Sequence, residues 1–272
     1  MKVKRLGRLV LEPTRIPGEF LRRWPPASFE TKLKWDALER PAYAYGTYHA
    51  ARQARALGLN GMSVIELGVA GGRGLLALES HARTISAQLG IDIDVYGFDL
   101  VSGIPEPQDY RDLPYVWKPG YFEMDFDLLQ SRLQTAKLIV GDVASTVPEF
   151  LGRPGLRPIG FVAFDLDYYS STAAALALLS ADASLLLPRV FCYFDDVVGD
   201  DSELHSEFTG ELLAISEFNA QHHDRKLARI HGLMYKRMIP AEWHAKQFVL
   251  HSFSHPLYAK HIGRSDWQIP IA

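Results

Sequence analysis

Between Gly160 and Asp200, two short apolar runs stop abruptly at aspartates. Phe161 to Phe164 is followed by Asp165 and Asp167, and Val190 to Phe194 by Asp195 and Asp196. Four or five β-prone residues closed by a sharp polar turn read as a buried parallel strand, and the alanine- and leucine-rich segment between the runs reads as the crossover helix. If the two strands are neighbours they lie about 4.8 Å apart, so carboxylates at their tips can converge on one hard cation. The pattern constrains the chain to an α/β organisation with acids gathered at one edge.

The same rhythm runs through the rest of the sequence. The segment from Ala42 places Tyr48, Ala51, Ala54 and Leu57 at helical spacing and ends at Gly58. A strand, a glycine-rich turn and a helix follow in SVIELGVAGGRGLLALESHARTISAQL. Next come a strand over Asp94 to Phe98, a long aromatic and proline-rich loop from Leu100 to Asp125, a helix around Phe126 to Gln134 and a strand over Lys137 to Val140. A short helix is expected near Pro148 to Leu151. Beyond the aspartate-tipped strands, a helix about Glu203 to Gln221 and strands near Lys226 to Ile230 and Gln247 to Phe253 are predicted, the last two as an antiparallel pair at the sheet's other edge. Alternation of this kind predicts a doubly wound, mostly parallel sheet.

The turn after the first strand reads Glu66-Leu67-Gly68-Val69-Ala70-Gly71-Gly72-Arg73-Gly74. It holds no strict G-x-G-x-x-G in any frame. The looser form ending in alanine matches at Gly72-Arg73-Gly74-Leu75-Leu76-Ala77, but its first glycine lies six residues past Glu66, which weakens pyrophosphate binding without excluding it. With no Lys-Ser or Lys-Thr after the glycines, the phosphate loop does not fit. The spacing E-x-G-x-x-x-G-x-G resembles motif I of the class I S-adenosylmethionine-dependent methyltransferases. That resemblance implies a seven-stranded Rossmann-like fold and assigns Glu66, Gly68, Gly72 and Gly74 to the aminoacyl end of the cofactor. Asp99, at the end of the second strand, sits where an acid accepts hydrogen bonds from ribose hydroxyls, or caps a turn. Asp142 after the third strand falls near the adenine in such enzymes, or serves as N-cap to the next helix.

A narrower resemblance comes from Asp165-Leu166-Asp167-Tyr168-Tyr169-Ser170-Ser171-Thr172 followed by Asp195-Asp196, from Phe98-Asp99 running on to Gly103-Ile104-Pro105-Glu106-Pro107, and from Gly141-Asp142 leading to Val147-Pro148-Glu149. Over roughly residues 60–200 these look like the macrocin O-methyltransferase (TylF-like) family, which methylates hydroxyls of sugars and other natural products with a magnesium-type ion. Carried over by position, Asp165, Asp195 and Asp196 hold the metal and Asp167 is the general base, with Asp165 beside it in the catalytic set. Leu166 departs from the small residue usual between the aspartates, and the connection from Ser180 to Arg189 is longer than the family's.

The chemistry explains the parts. An alcohol at neutral pH is a poor nucleophile, so methyl transfer demands that its proton be removed or its developing charge be stabilised. All-carboxylate ligation favours magnesium over zinc, with calcium and manganese fitting the same donors. Tyr169, Ser171 and Thr172 are expected to cap the crossover helix, and Tyr110, Tyr115, Trp117, Tyr121 and Phe122 form a candidate lid.

The net charge of −3 gives no electrostatic case for nucleic acid, and no apolar run reaches the length of a membrane span. The single cysteine, Cys192, reads as a buried small hydrophobe. Without the marks of a secretory signal, a cytoplasmic protein is the expectation. Residues 1–41, basic and broken by prolines, are expected to be an extension that covers the pocket, touches a partner or membrane, or builds a homo-oligomer, with the methyltransferase domain over 42–272. Histidines crowd the last fifty residues; His251 and His255 are weak zinc candidates, and His231 could reach the acceptor side. The partner expected is a small-molecule hydroxyl acceptor, a sugar moiety or natural product. Two alternatives stand beside this reading: a hydroxylase-like or hydrolytic enzyme on the same metal site, and a non-catalytic binding protein.

Overall fold

The computed structural model describes residue 20, residues 22–24 and residues 27–263. In chain order its helices and strands are α1 (Phe29–Lys34), α2 (Pro41–Ala56), β1 (Gly61–Leu67), α3 (Arg73–Leu89), β2 (Asp92–Asp99), α4 (Phe126–Arg132) and β3 (Lys137–Val140). They continue as α5 (Val143–Leu151), β4 (Ile159–Phe164), α6 (Tyr169–Ala175), β5 (Leu186–Phe194), α7 (Gly210–Gln221), β6 (Arg225–Arg229) and β7 (Gln247–Ser252). The seven strands form one sheet in the order β3-β2-β1-β4-β5-β7-β6, parallel except for β7, which pairs antiparallel with both β5 and β6. The doubly wound, seven-stranded prediction is met, and β1 and β4 adjoin at the point where strand order reverses.

Alternation along the central strands divides the core between two faces. Met62 and Val64 of β1 and Phe161 and Ala163 of β4 pack toward α2 and α3, together with Phe29 and Leu33 of α1. Ile65, Leu67, Val162 and Phe164 turn the other way, onto Val147 and Phe150 of α5, Ala175 at the end of α6, and Ile215 and Phe218 of α7. Every residue of β1 and β4 is buried, as expected of strands covered on both faces. Cys192 is buried as a small apolar residue of this core.

Four element boundaries differ from the sequence reading. The crossover between β4 and β5 is not one helix: α6 stops at Ala175 and continues as short 3-10 turns, Leu176–Ser180 and Ala183–Leu185. β5 begins at Leu186, because Leu186 and Leu187 enter the core as strand; a short apolar run does not by itself distinguish strand from helix. α7 starts at Gly210, leaving an irregular loop over 199–209, whereas α5 starts early, at Val143, on an Asp142 cap. Of the 1–41 extension, α1 packs on α2 through Phe29 and Leu33. The basic residues Lys2, Lys4, Arg5, Arg8 and Arg15 lie outside the described residues. No helix among the described residues is long and apolar enough to cross a membrane.

The Phe164 and Phe194 rings stack at 4.5 Å with planes 8° apart, fully buried just beneath the aspartate tips. Truncating one leaves a cavity that the close-packed sheet cannot refill. Phe194→Ala is expected to lower stability by about 3–5 kcal/mol in chemical denaturation.

Candidate active site

A cavity of about 520 Å³ runs along the C-terminal ends of β1, β2, β4 and β5, where the switch point of an open α/β sheet places ligands. Glu66, Gly68, Gly74, Asp99, Asp142, Asp165, Asp167, Asp195 and Asp196 all line it. Gly72 does not, but sits at the N-cap of α3 with a left-handed φ of 77°.

Two glycines are fixed by what stands against them. A Cβ at Gly68 would lie 1.8 Å from the carbonyl oxygen of Asp165, and the residue's φ of +84° is strained for any side chain. One at Gly74 would lie 1.8 Å from Glu66 Oε1. The turn thereby brings the tips of β1 and β4 together and leaves Glu66 beside the first turn of α3.

Glu66 is almost wholly buried. Its Oε1 accepts a 2.8 Å hydrogen bond from the Tyr43 hydroxyl, while Oε2 is buried with no partner. Burial pushes this carboxyl up to about 8, against the opposing effects of the Tyr43 bond and the Arg40 charge. Asp99 behaves differently. Its Oδ2 accepts from the backbone N–H groups of Val69 and Ala70, each at 2.8 Å, and its Oδ1 from that of Val101 at 2.8 Å. It braces the glycine turn and lines the cavity at once. Asp142 caps α5 through a 2.8 Å bond from the Ala144 N–H and also lines the cavity.

The four aspartates of the opening pattern do meet at one place, and each has a distinct setting. Asp165 Oδ2 stands 4.0 Å from the Arg40 guanidinium. Asp195 Oδ1 accepts a short bond from the Tyr193 hydroxyl and lies 3.4 Å from Lys246 Nζ. Asp196 Oδ2 accepts from the Asp167 N–H at 2.9 Å, and the Asp196 N–H donates to Glu211 Oε2 at 2.9 Å. Asp167 is held at a left-handed φ of 60°. Burial, reinforced by Asp195 and Asp196, holds the Asp165 carboxyl well above the carboxylate range, and burial with Asp167 and Asp195 does the same to Asp196. Burial, then Asp165, Asp195 and Glu203, push Asp167 up to about 8. Glu211, behind Asp196, is raised by burial first.

Two cofactors were expected, and the residues fit them to different degrees. The unpartnered Glu66 Oε2 and the Gly68–Gly74 cradle fit a ligand with a cationic end lying close over the turn. For a divalent cation the donor chemistry fits, since these are hard carboxylate oxygens, buried at Asp167 and Asp196 and partly exposed at Asp165 and Asp195, whose charges repel. As the side chains stand, however, no three Asp, Glu, His or Cys groups among the described residues form a ligand set. Asp195 and Asp196 are turned toward Tyr193, Lys246 and the Asp167 N–H instead.

Several expectations need correction. None of Tyr169, Ser171 and Thr172 caps the crossover helix, which has no side-chain cap: the Tyr169 hydroxyl donates to Glu217 at 2.6 Å and that of Thr172 to Glu211 at 3.4 Å, and the neighbouring Ser170 donates to Asp112. His251 and His255 do not form a zinc pair; His251 Nδ1 bonds the Tyr258 hydroxyl and His255 Nε2 the carbonyls of Ala183 and Leu186. His231 is exposed and does not line the cavity. Of the aromatic loop, only Trp117 and Phe122 line it. Tyr115 instead donates to the Glu203 carbonyl at 2.7 Å, tying this loop to the 199–209 loop.

Residues the sequence did not flag include Arg40, Tyr43, Lys246, Glu211 and the Glu203–His205 pair, joined at 2.8 Å. Arg40, Tyr43 and Lys246 reach the site from distant stretches by tertiary packing, whereas Glu203, His205 and Glu211 follow Asp196 closely in sequence, and none carries a local motif.

No protein-family model matches the chain, and no curated protein matches it in sequence. Among solved structures, CalS11, a calicheamicin methyltransferase, aligns over 88% of this chain and 91% of its own at 20% identity and a TM-score of 0.53. SAH-bound PaMTH1 of Podospora anserina, a methyltransferase, aligns over 93% of this chain and 96% of its own at 12% identity and a TM-score of 0.45. The sheet order and the first of these likenesses establish the class I methyltransferase fold for this chain.

A group that is protonated in the native protein but ionised once unfolded makes folding take up a proton. Stability then rises as pH falls from the native pKa toward the unfolded one. For Glu66 the window runs from about 8 down to about 4.5. Thermal melts of the ligand-free protein should show stability declining as pH rises through this range. Glu66→Gln should remove about 5 kcal/mol of the stability change across this window; an unchanged pH dependence in the variant would contradict the assignment.

Proposed function

We propose that this chain is an S-adenosylmethionine-dependent O-methyltransferase acting on a hydroxyl of a small molecule, a sugar moiety or natural product. The observation that carries the reading is the orphaned, buried Oε2 of Glu66, a residue that lines the same cavity as Asp165, Asp167, Asp195 and Asp196. The fold shared with a calicheamicin methyltransferase supports it. The TylF-like motifs supply the finer reading, in which Asp165, Asp195 and Asp196 hold a divalent cation, magnesium by preference.

In this reading Glu66 accepts the cofactor's ammonium, Gly68 and Gly74 keep the turn free of side chains beneath it, and Gly72, off the cavity wall and against Leu129, lets the chain turn into α3. Asp99 offers its remaining lone pairs to the ribose hydroxyls, and Asp142 borders the adenine. When bound, S-adenosylmethionine supplies an electrophilic methyl group on a sulfonium, and the cation supplies positive charge beside the reacting oxygen. Asp167 would take the acceptor's hydroxyl proton as the oxygen–methyl bond forms and the methyl–sulfur bond breaks, the leaving group being the neutral thioether S-adenosylhomocysteine. Its left-handed backbone, fixed by the Asp196 bond to its N–H, aims the carboxyl. Burial of the cavity walls keeps water from competing for the methyl group.

A methyl-transfer screen over glycosylated and phenolic acceptors, with and without chelator, tests the reading. Turnover should depend on the cofactor, and Asp167→Asn should lower kcat by roughly 10²- to 10⁴-fold. A base must be ionised to act, so with the cation chelated the residual rate should climb with pH through about 8, following Asp167. Restoring magnesium should shift that limb to lower pH, because a nearby positive charge favours the ionised form. Failure to bind S-adenosylmethionine, with or without magnesium, would sink the proposal.

A further inference from the structure

Arg40 is the wrong residue for its place in the helix it starts. It is the N-cap of α2, where Ser, Thr, Asp or Asn would satisfy an open N–H, and it makes no side-chain cap bond. Its cationic group stands at the positive end of a sixteen-residue helix. Its backbone, at φ 42° and ψ 65°, occupies the left-handed region that disfavours side chains other than Gly, Asn and Asp. Three local penalties at one position indicate that the guanidinium is kept for something outside the helix.

The surrounding chain holds this conformation in place. Glu39 bonds Arg73 Nε at 2.6 Å, and its carbonyl bonds His81 Nε2 at 2.7 Å, tying the segment to α3. Asp36, itself left-handed at φ 49°, bonds Arg237 at 2.7 Å and Trp243 Nε1 at 3.0 Å, tying it to the loop before β7. So braced, Arg40 lines the cavity with Glu66 on one side and Asp165 on the other. Its guanidinium lies 5.6 Å over the Tyr43 ring, whose hydroxyl holds Glu66. At 4.0 Å the Asp165 contact is an ion pair without a hydrogen bond, and the guanidinium makes no hydrogen bond to a described residue. Five N–H donors in a planar fork are therefore available to a ligand.

We propose that Arg40 binds the α-carboxylate of the methyl donor, completing with Glu66 a pair of groups, one basic and one acidic, matched to the two ends of an amino-acid zwitterion. The inference rests on the cofactor reading given above. An ammonium placed at Glu66 carries its carboxylate on the adjacent carbon, and Arg40 is the cationic side chain of the cavity wall whose charge acts on Glu66. A forked guanidinium takes a carboxylate through two parallel hydrogen bonds, which fixes orientation as well as adding affinity.

The test uses the full chain and two ligands, S-adenosylmethionine and its decarboxylated analogue, which keeps the sulfonium, adenosine and amine. Isothermal calorimetry on the wild type should show the parent ligand binding roughly ten- to hundredfold more tightly, the range of a hydrogen bond to a charged group. Arg40→Met and Arg40→Gly should bind both ligands alike, at the analogue's affinity. The glycine variant tolerates the left-handed backbone, so it separates loss of the guanidinium from loss of the fold, and a thermal melt records that. Wild-type protein that binds both ligands within twofold, or variants that keep the preference, would overturn the assignment while leaving the cofactor reading intact. Binding of neither ligand by the wild type would overturn both.

Discussion

Carboxylates wholly or partly withdrawn from water at the ends of three neighbouring parallel strands set the terms for everything around them. Glu66 ends β1, Asp165 and Asp167 follow β4, and Asp195 and Asp196 follow β5. In a hydrocarbon-like interior such groups are held near neutrality or need partners, because an isolated buried charge costs far more than a fold can offset. The molecule answers with several devices. Tyr43 and Tyr193 donate hydroxyls, the Asp167 N–H and Asp196 N–H cap carboxylates, and Arg40 and Lys246 bring positive charge from opposite ends of the sequence. What these leave unanswered, above all Glu66 Oε2, marks where a ligand belongs.

The backbone serves the same constraint. Gly68 allows the tip of β1 to touch the Asp165 carbonyl, and Asp99 bonds three N–H groups of the loops on either side. Asp112, buried between the aromatic loop and α6, accepts from the Gln108 N–H and from both the N–H and hydroxyl of Ser170. Tyr115 then links that loop to the one following β5. The acids thus sit on rigid strand ends, while the walls that shape an acceptor pocket are loops pinned at a few polar contacts.

Much of this was legible in the chain. Abrupt change from apolar run to aspartate located β4, β5 and four acids, and the glycine spacing after Glu66 located the cavity's other half; both are local signals. The crossover reads as a single helix because Leu186 and Leu187 have the composition of a helix end, yet they enter the sheet as strand. Asp99 and Asp142 each proved to carry the structural role and to line the cavity as well, so the two readings were not exclusive. Arg40, Lys246 and Glu211 could not be found in this way. Each acts through a neighbour brought near only by folding, 26 residues from Glu66 in the case of Arg40 and 51 from Asp195 in that of Lys246.

The central claim is that the glycine turn and Glu66 hold the methyl donor's aminoacyl end, and one measurement addresses it directly. Calorimetric titration of the intact chain with S-adenosylhomocysteine should give saturable one-to-one binding. Gly74→Leu, whose side chain must occupy the space 1.8 Å from Glu66 Oε1, should abolish that binding. Absence of binding to the wild type, or undiminished affinity in a folded Gly74→Leu protein, would contradict the account.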